Sequence, residues 1–193
     1  MNHETLTLPP HPYTCKMLIA SKIFPKGLLE EYSVTVIFRV RRSTKKERWF
    51  LWQILNQQNM PQISIVIDGT KKVVEFMFRG AEGDLLNYVF KNRELRPLFD
   101  RQWHKLGIGV QSRVLSLYMD CNLIASRHTE EKASVDFHGK TVIAGRALDG
   151  KPVDVSVTVM LRVCFIIPKL KQNILSRVTS LGWRCSSLGR EFA

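Results

Sequence analysis

The chain has 193 residues, of which 45% are hydrophobic and 24% charged, and its 29 Lys and Arg against 17 Asp and Glu give a formal net charge of +12. That balance excludes a disordered chain, which lacks the apolar residues for a core, and the length suits one domain that buries about 70% of its unfolded surface. Membrane insertion is not expected, because Arg162 interrupts the best apolar run and Pro168 ends it, short of the roughly 20 residues a spanning helix needs. The positive field favours polyanions: nucleic acid, an anionic membrane surface or a sulfated glycosaminoglycan. The start Met1-Asn2-His3-Glu4 is polar, and the first apolar stretch, 17–20, lies between Lys16 and Lys22, so no signal peptide is visible.

Taken in chain order, residues 1–18 hold Pro9, Pro10 and Pro12 among polar residues and read as an extended arm. From 33 to 41, Val34, Val36, Phe38 and Val40 alternate with Ser33, Thr35, Arg39 and Arg41, with Ile37 as one mixed position, which predicts a strand. Short apolar runs follow at 49–55, 63–68, 73–79, 85–90, 105–110, 114–120 and 141–144, separated by turn chemistry such as Asp68-Gly69, Glu82-Gly83-Asp84 and Asp149-Gly150. That spacing predicts an all-β sandwich or jelly roll of antiparallel sheets. Residues 64–67 and 71–78 are expected to form a hairpin, with Gly69 supplying the positive φ of its turn. The last predicted strand is 153–163, after which 166–193 reads as a basic tail with at most a short helix at 171–181.

The four cysteines are Cys15, Cys121, Cys164 and Cys185, with no C-x-x-C pair and no zinc-type spacing. They permit two disulfides in three connectivities, or buried free thiols. Asp68, Glu75 and Asp120 stand alone in different strands, and no E-x-D-x-x-E run exists to pair carboxylates for glycoside hydrolysis. His104 has no Ser, Cys or paired carboxylate at a suggestive spacing and reads as structural. Trp49, Trp52 and Trp103 read as core or rim. No catalytic residue, metal ligand or cofactor is therefore expected. The densest basic cluster is Arg39, Arg41, Arg42, Lys45, Lys46 and Arg48, with Arg39 and Arg41 on one strand face. Secondary groups are Lys71 with Lys72, then Lys91, Arg93 and Arg96, then Arg101 with Lys105. Without a basic helix or an aromatic platform, nucleic acid is not the expected partner.

Several phrases go beyond generic sandwich character. Ile23-Phe24-Pro25-Lys26-Gly27-Leu28-Leu29-Glu30-Glu31-Tyr32, Trp49-Phe50-Leu51-Trp52-Gln53-Ile54, Leu98-Phe99-Asp100-Arg101-Gln102-Trp103-His104-Lys105-Leu106 and Leu117-Tyr118-Met119-Asp120-Cys121-Asn122 occur in that order. In this order they resemble the thrombospondin N-terminal-like domains of fibril-associated collagens. The resemblance covers about 19–165 and implies a laminin G-like, concanavalin-like jelly roll that is secreted into the extracellular matrix and has no enzymatic activity. It implies heparin or heparan sulfate-like glycosaminoglycans, matrix proteins and collagen fibrils as partners, with the basic cluster as the glycosaminoglycan contact. It also implies that Cys121 pairs with Cys164, which leaves Cys15 and Cys185 outside the pattern. The last strand is more apolar than the family's, and the chain has only 11 Gly and no Gly-x-y repeat. It therefore reads as a fragment or truncated form. The alternatives are a lectin or glycosidase on the same fold, or a splice product without function.

Overall fold

The computed structural model describes residues 4–7 and 16–165, with side chains over 17–155. The strands are β1 (Glu4–Thr7), β2 (Lys16–Ile19), β3 (Tyr32–Val40), β4 (Arg48–Leu55), β5 (Pro61–Asp68), β6 (Val73–Arg79), β7 (Leu85–Phe90), β8 (His104–Val110), β9 (Val114–Met119), β10 (Asn122–His128), β11 (Lys140–Arg146) and β12 (Val155–Phe165). One short helix, α1 (Ala20–Ile23), follows β2, and 3-10 turns at Thr44–Lys46 and Arg93–Phe99 precede β4 and β8. Two six-stranded antiparallel sheets form, in the orders β1-β12-β3-β8-β9-β10 and β2-β11-β4-β5-β6-β7. The expected two-sheet jelly roll is the fold.

The period-2 pattern explains the core. Val34, Val36, Phe38 and Val40 of β3 point inward and are buried, as are Ile63, Ile65 and Ile67 of β5 and Val74, Phe76 and Phe78 of β6. Phe38 meets Trp49 edge-on at 5.7 Å between ring centroids, a geometry the ring quadrupoles favour. A bulge between Phe50 and Trp52 shifts the register of β4 against β5, so Trp49, Leu51 and Trp52 are all buried. The Trp52 indole then needs a polar partner: its N–H donates to Thr141 Oγ1 at 3.0 Å, and that hydroxyl donates to the Gln53 carbonyl at 3.1 Å. Phe24, from the Phe-Pro segment, packs on Trp52 and Phe137 at 6.0 and 5.6 Å.

The structure departs from the sequence reading in three places. Glu4–Thr7 pairs with β12 and Lys16–Ile19 with β11, so parts of the predicted arm 1–18 are sheet strands; the predicted tail 166–193 lies outside the described residues. β10 was not predicted, because residues 122–128 do not alternate and its hairpin turn, Asp120-Cys121, carries no glycine. Both turn residues have positive φ, 48° and 71°, the conformation a two-residue type I′ hairpin demands. The third is the β5–β6 hairpin, which forms, but its left-handed residue is Lys72 at φ 58°. Gly69 serves close approach instead. Its N–H donates to the Glu47 carbonyl at 2.8 Å, and a Cβ added there would sit 2.3 Å from the Lys45 carbonyl oxygen.

That contact locks the hairpin onto the crossover between the sheets. Gly→Ala at an unstrained site ordinarily stabilises by about 0.4–1 kcal/mol, so the sign of the change tests the packing. Gly69→Ala is expected to destabilise by about 1–3 kcal/mol in urea unfolding; a neutral or stabilised variant would contradict the close approach.

Candidate functional site

The crossover from β3 to β4 carries the predicted basic cluster round one end of the sandwich. Arg39 alternates with buried Phe38 and Val40, so it lies on the outer face of the first sheet, with its guanidinium 5.3 Å from the Trp103 ring centroid. Arg41 lies beyond the end of β3 and pairs with Asp154 at 3.2 Å. Arg48 begins β4 on the outer face of the second sheet, where its Nη2 donates to Glu75 Oε2 at 2.8 Å. The six residues are therefore not one stripe on one strand face. Between the two ends, Arg42 and Lys46 are exposed and Lys45 is half-buried.

The structure brings the secondary group Lys71-Lys72 to this cluster, a proximity that sequence separation hid. Lys72 Nζ donates to the Lys45 carbonyl at 2.8 Å and also to the Gly69 carbonyl, and it stands 4.5 Å from the Phe99 ring centroid. Burial, then the charges of Lys45 and Lys46, hold its ammonium below the usual lysine range, against an opposing pull from Asp68. Burial is the larger cause, and the neighbouring lysines add to it. On the same side, Arg48, Lys71 and Lys91 line a concavity of about 450 Å³ together with Val73, Glu75, Asn87 and Val89. Arg93, Arg96 and Arg101 are exposed, and Lys105 is half-buried.

The carboxylates that stood alone in the sequence each have a local task. Asp68 Oδ1 accepts the amides of Thr70 and Lys71, both at 2.9 Å, and shapes the hairpin turn. Glu75 holds Arg48 and accepts Asn87 Nδ2 at 3.1 Å. His104, contrary to the sequence reading, has two carboxylate partners: Nδ1 lies 2.8 Å from Asp120 Oδ2, and Nε2 lies 3.1 Å from Asp100 Oδ1. Asp120 Oδ1 also accepts the Lys105 amide at 2.9 Å, so this imidazole ties the start of β8 to the β9–β10 turn.

The expected Cys121–Cys164 bridge does not fit the register. Cys164 of β12 is opposite Ser33, Ser33 is opposite Gly109, and Gly109 is opposite Ser116 of β9. Three strand spacings, about 14 Å, separate Cys164 from the strand that leads into Cys121. A disulfide needs Cα atoms within about 7 Å. The family spacing suggested the pair, but the sheet order places β3 and β8 between them.

No protein-family model matches the chain. The human collagen alpha-1(XIX) chain is 77% identical over 136 residues, 70% of this chain and 12% of that one. The human collagen alpha-1(XVI) chain is 30% identical over 132 residues, 68% of this chain and 8% of that one. The chain thus spans only 8 to 12% of the length of these two curated relatives. Among solved structures, mouse laminin alpha1 domains LG4-5 superpose with TM-score 0.50 and 16% identity, covering 84% of this chain and 39% of that one. The Ruminococcus gnavus sialidase module CBM40, bound to sialyllactose, superposes with TM-score 0.57 and 12% identity, covering 86% and 94%. At such identities these structures speak for the fold alone. Together the sandwich and the sequence matches place the chain among the laminin G-like, thrombospondin N-terminal-like domains of fibril-associated collagens. Within that family, the chain it matches at 77% identity is collagen alpha-1(XIX).

The Asp100–His104–Asp120 arrangement makes stability depend on pH. The Asp120 hydrogen bond chiefly, and then Asp100, raise the imidazole above its ordinary pKa against the opposing effect of burial. Burial pushes the Asp120 carboxyl up, but the His104 and Lys105 hydrogen bonds outweigh it and leave the group below its usual range. The His104 contribution is complete below about pH 6.5 and is lost as pH rises through the raised folded value. The Asp120 contribution is complete above about pH 4 and is lost as pH falls through the lowered one. Calorimetric Tm should therefore peak between about pH 4 and 6.5 as far as this cluster is concerned, and His104→Gln should flatten the fall on the alkaline side. An unchanged alkaline limb in that variant would remove His104 as its cause.

Proposed function

We propose that this domain is a non-enzymatic module of the extracellular matrix that binds heparin-like glycosaminoglycans through the basic end of the sandwich, and through them or directly engages matrix proteins. The observation that carries this reading is that the β5–β6 hairpin folds back onto the turn of Arg42, Lys45 and Lys46, where Lys72 Nζ donates to the Lys45 carbonyl and Thr70 Oγ1 to the Lys46 carbonyl, and so crowds Lys71 and Lys72 against its cations. Such crowding costs free energy in the unbound domain, and a flexible polyanion would relieve it. Its close contacts would release counterions, so affinity should fall steeply with salt. Relatedness to collagen chains supports the matrix setting.

Arg41 is a poor site to probe, because Arg41→Glu would set a second carboxylate against Asp154. The informative variant is Arg42→Glu with Lys46→Glu, beside Lys26→Glu with Lys140→Glu, two exposed lysines in other parts of the domain. On a heparin column the first should elute at lower salt than the parent, and the slope of log affinity against log salt should drop by about 2. Equal elution of both variants with the parent would end the assignment.

The bridge held by Cys121 is proposed to close on Cys15 or Cys185, since the register separates it from Cys164. A non-reducing peptide map of the folded chain should link the Cys121 peptide to one of those two. A Cys121–Cys164 link would show that β12 pairs differently in solution.

A further inference from the structure

The concavity on the outer face of the second sheet has features that a generic basic surface lacks. Its floor is built across β4, β6 and β7. Glu75 is opposite Val66 on one side and Val89 on the other, and its side chain is only 6% exposed. A carboxylate so enclosed on an outer sheet face would be costly alone. It is held by two hydrogen bonds from Arg48, 2.8 and 3.4 Å, and by one from Asn87 Nδ2 at 3.1 Å. One consequence is that the Arg48 guanidinium and the Asn87 amide are fixed in place with their remaining polar atoms available. Another is that the charge does not cancel: Arg48, Lys71 and Lys91 surround a single carboxylate.

Beside the polar array Val89, 41% exposed, presents an apolar face next to the buried Val73. Fixed polar groups beside a small apolar patch, in a concavity of about 450 Å³, match the usual make-up of a small-ligand site. The chemistry selects the ligand. A guanidinium and two ammonium groups call for a carboxylate or sulfate. The free face of the Asn87 amide and the rim of the Glu75 carboxylate suit hydroxyl groups, and the exposed Val89 side chain suits the C–H face of a pyranose ring. We infer that this concavity is a subsite for one acidic sugar unit, a sulfated or uronate-bearing pyranose, held between β4, β6 and β7. It deepens the proposed glycosaminoglycan reading and rests on it for the source of the sugar. A long chain lying across the crossover would place one residue here, which turns charge attraction at the rim into recognition of a single unit.

The test uses a fully sulfated heparin-derived disaccharide, too short to span the rim, titrated into the ¹⁵N-labelled domain, with long heparin on a column in parallel. The expected result is saturable shifts at the amides of Lys71, Val73, Glu75, Val89 and Lys91. Lys71→Glu with Lys91→Glu should weaken disaccharide binding about tenfold or more, and Asn87→Ala should weaken it by a smaller factor. The charge-matched Lys26→Glu with Lys140→Glu control should stay within about twofold. Equal thermal midpoints for all variants exclude unfolding as the cause. Disaccharide shifts elsewhere, or unchanged affinity in the pocket variants while long heparin is still retained, would overturn the subsite and leave the broader reading intact. Failure of both disaccharide and long heparin to bind the parent would overturn both.

Discussion

The crossover from one sheet to the other is the constraint on which the rest of the structure depends. β3 ends at Val40 and β4 begins at Arg48, so seven intervening residues must leave one sheet, turn and enter the other. The turn is made by a single 3-10 element, Thr44–Lys46. Its buried Thr44 donates through Oγ1 to the Asp154 carbonyl, which anchors it to the segment that leads into β12, the strand beside β3. From the other side, the β5–β6 hairpin closes on it through Gly69 and Lys72. Correct docking here sets Phe38 against Trp49 in the core. It also forces the cations of the turn against Lys71 and Lys72. Core alignment and surface charge are two outcomes of the same short connection.

Most of the strands were legible because one face of each is buried, and period-2 alternation of β-branched residues records that directly. β3, β5 and β6 are examples. What remained hidden was set by tertiary pairing. Lys16–Ile19 is only four residues long and is a strand because β11 offers it an edge. β10 follows a turn whose left-handed residues are Asp120 and Cys121, not the Asn-Gly or Asp-Gly that signals a hairpin. The family resemblance suggested Cys164 as the partner of Cys121, yet a resemblance between short phrases carries no information about how many strands lie between two positions.

The same division applies to the candidate site. Local density in 39–48 marked the cluster, but only the fold shows that Arg39 and Arg48 leave it for opposite outer faces and that Arg41 and Arg48 are engaged by Asp154 and Glu75. Lys71 and Lys72 join it through a hairpin that folds back from about 25 residues further along the chain, and Lys91 through the end of β7, which pairs with β6. Glu75, an isolated acid in the sequence, becomes the post that holds Arg48 and Asn87 in place. Asp100, four residues before His104, becomes half of a carboxylate pair only once Asp120 is brought in by the β8–β9 pairing. Charge density is thus readable along the chain, whereas pre-organisation is a property of the folded sheet.

The proposed binding surface, as opposed to a solvated edge, is made of the cations gathered by the crossover and the β5–β6 hairpin. Co-crystallisation with a heparin-derived hexasaccharide tests it most directly, since it locates the ligand without relying on variants. The predicted result is a chain whose sulfates lie within hydrogen-bond distance of the Arg42, Lys45, Lys46 and Lys71 side chains, with one sugar over the Arg48–Glu75–Asn87 floor. A hexasaccharide seated on the outer face of the first sheet, or at the opposite end near Lys132, with none at the crossover, would contradict it.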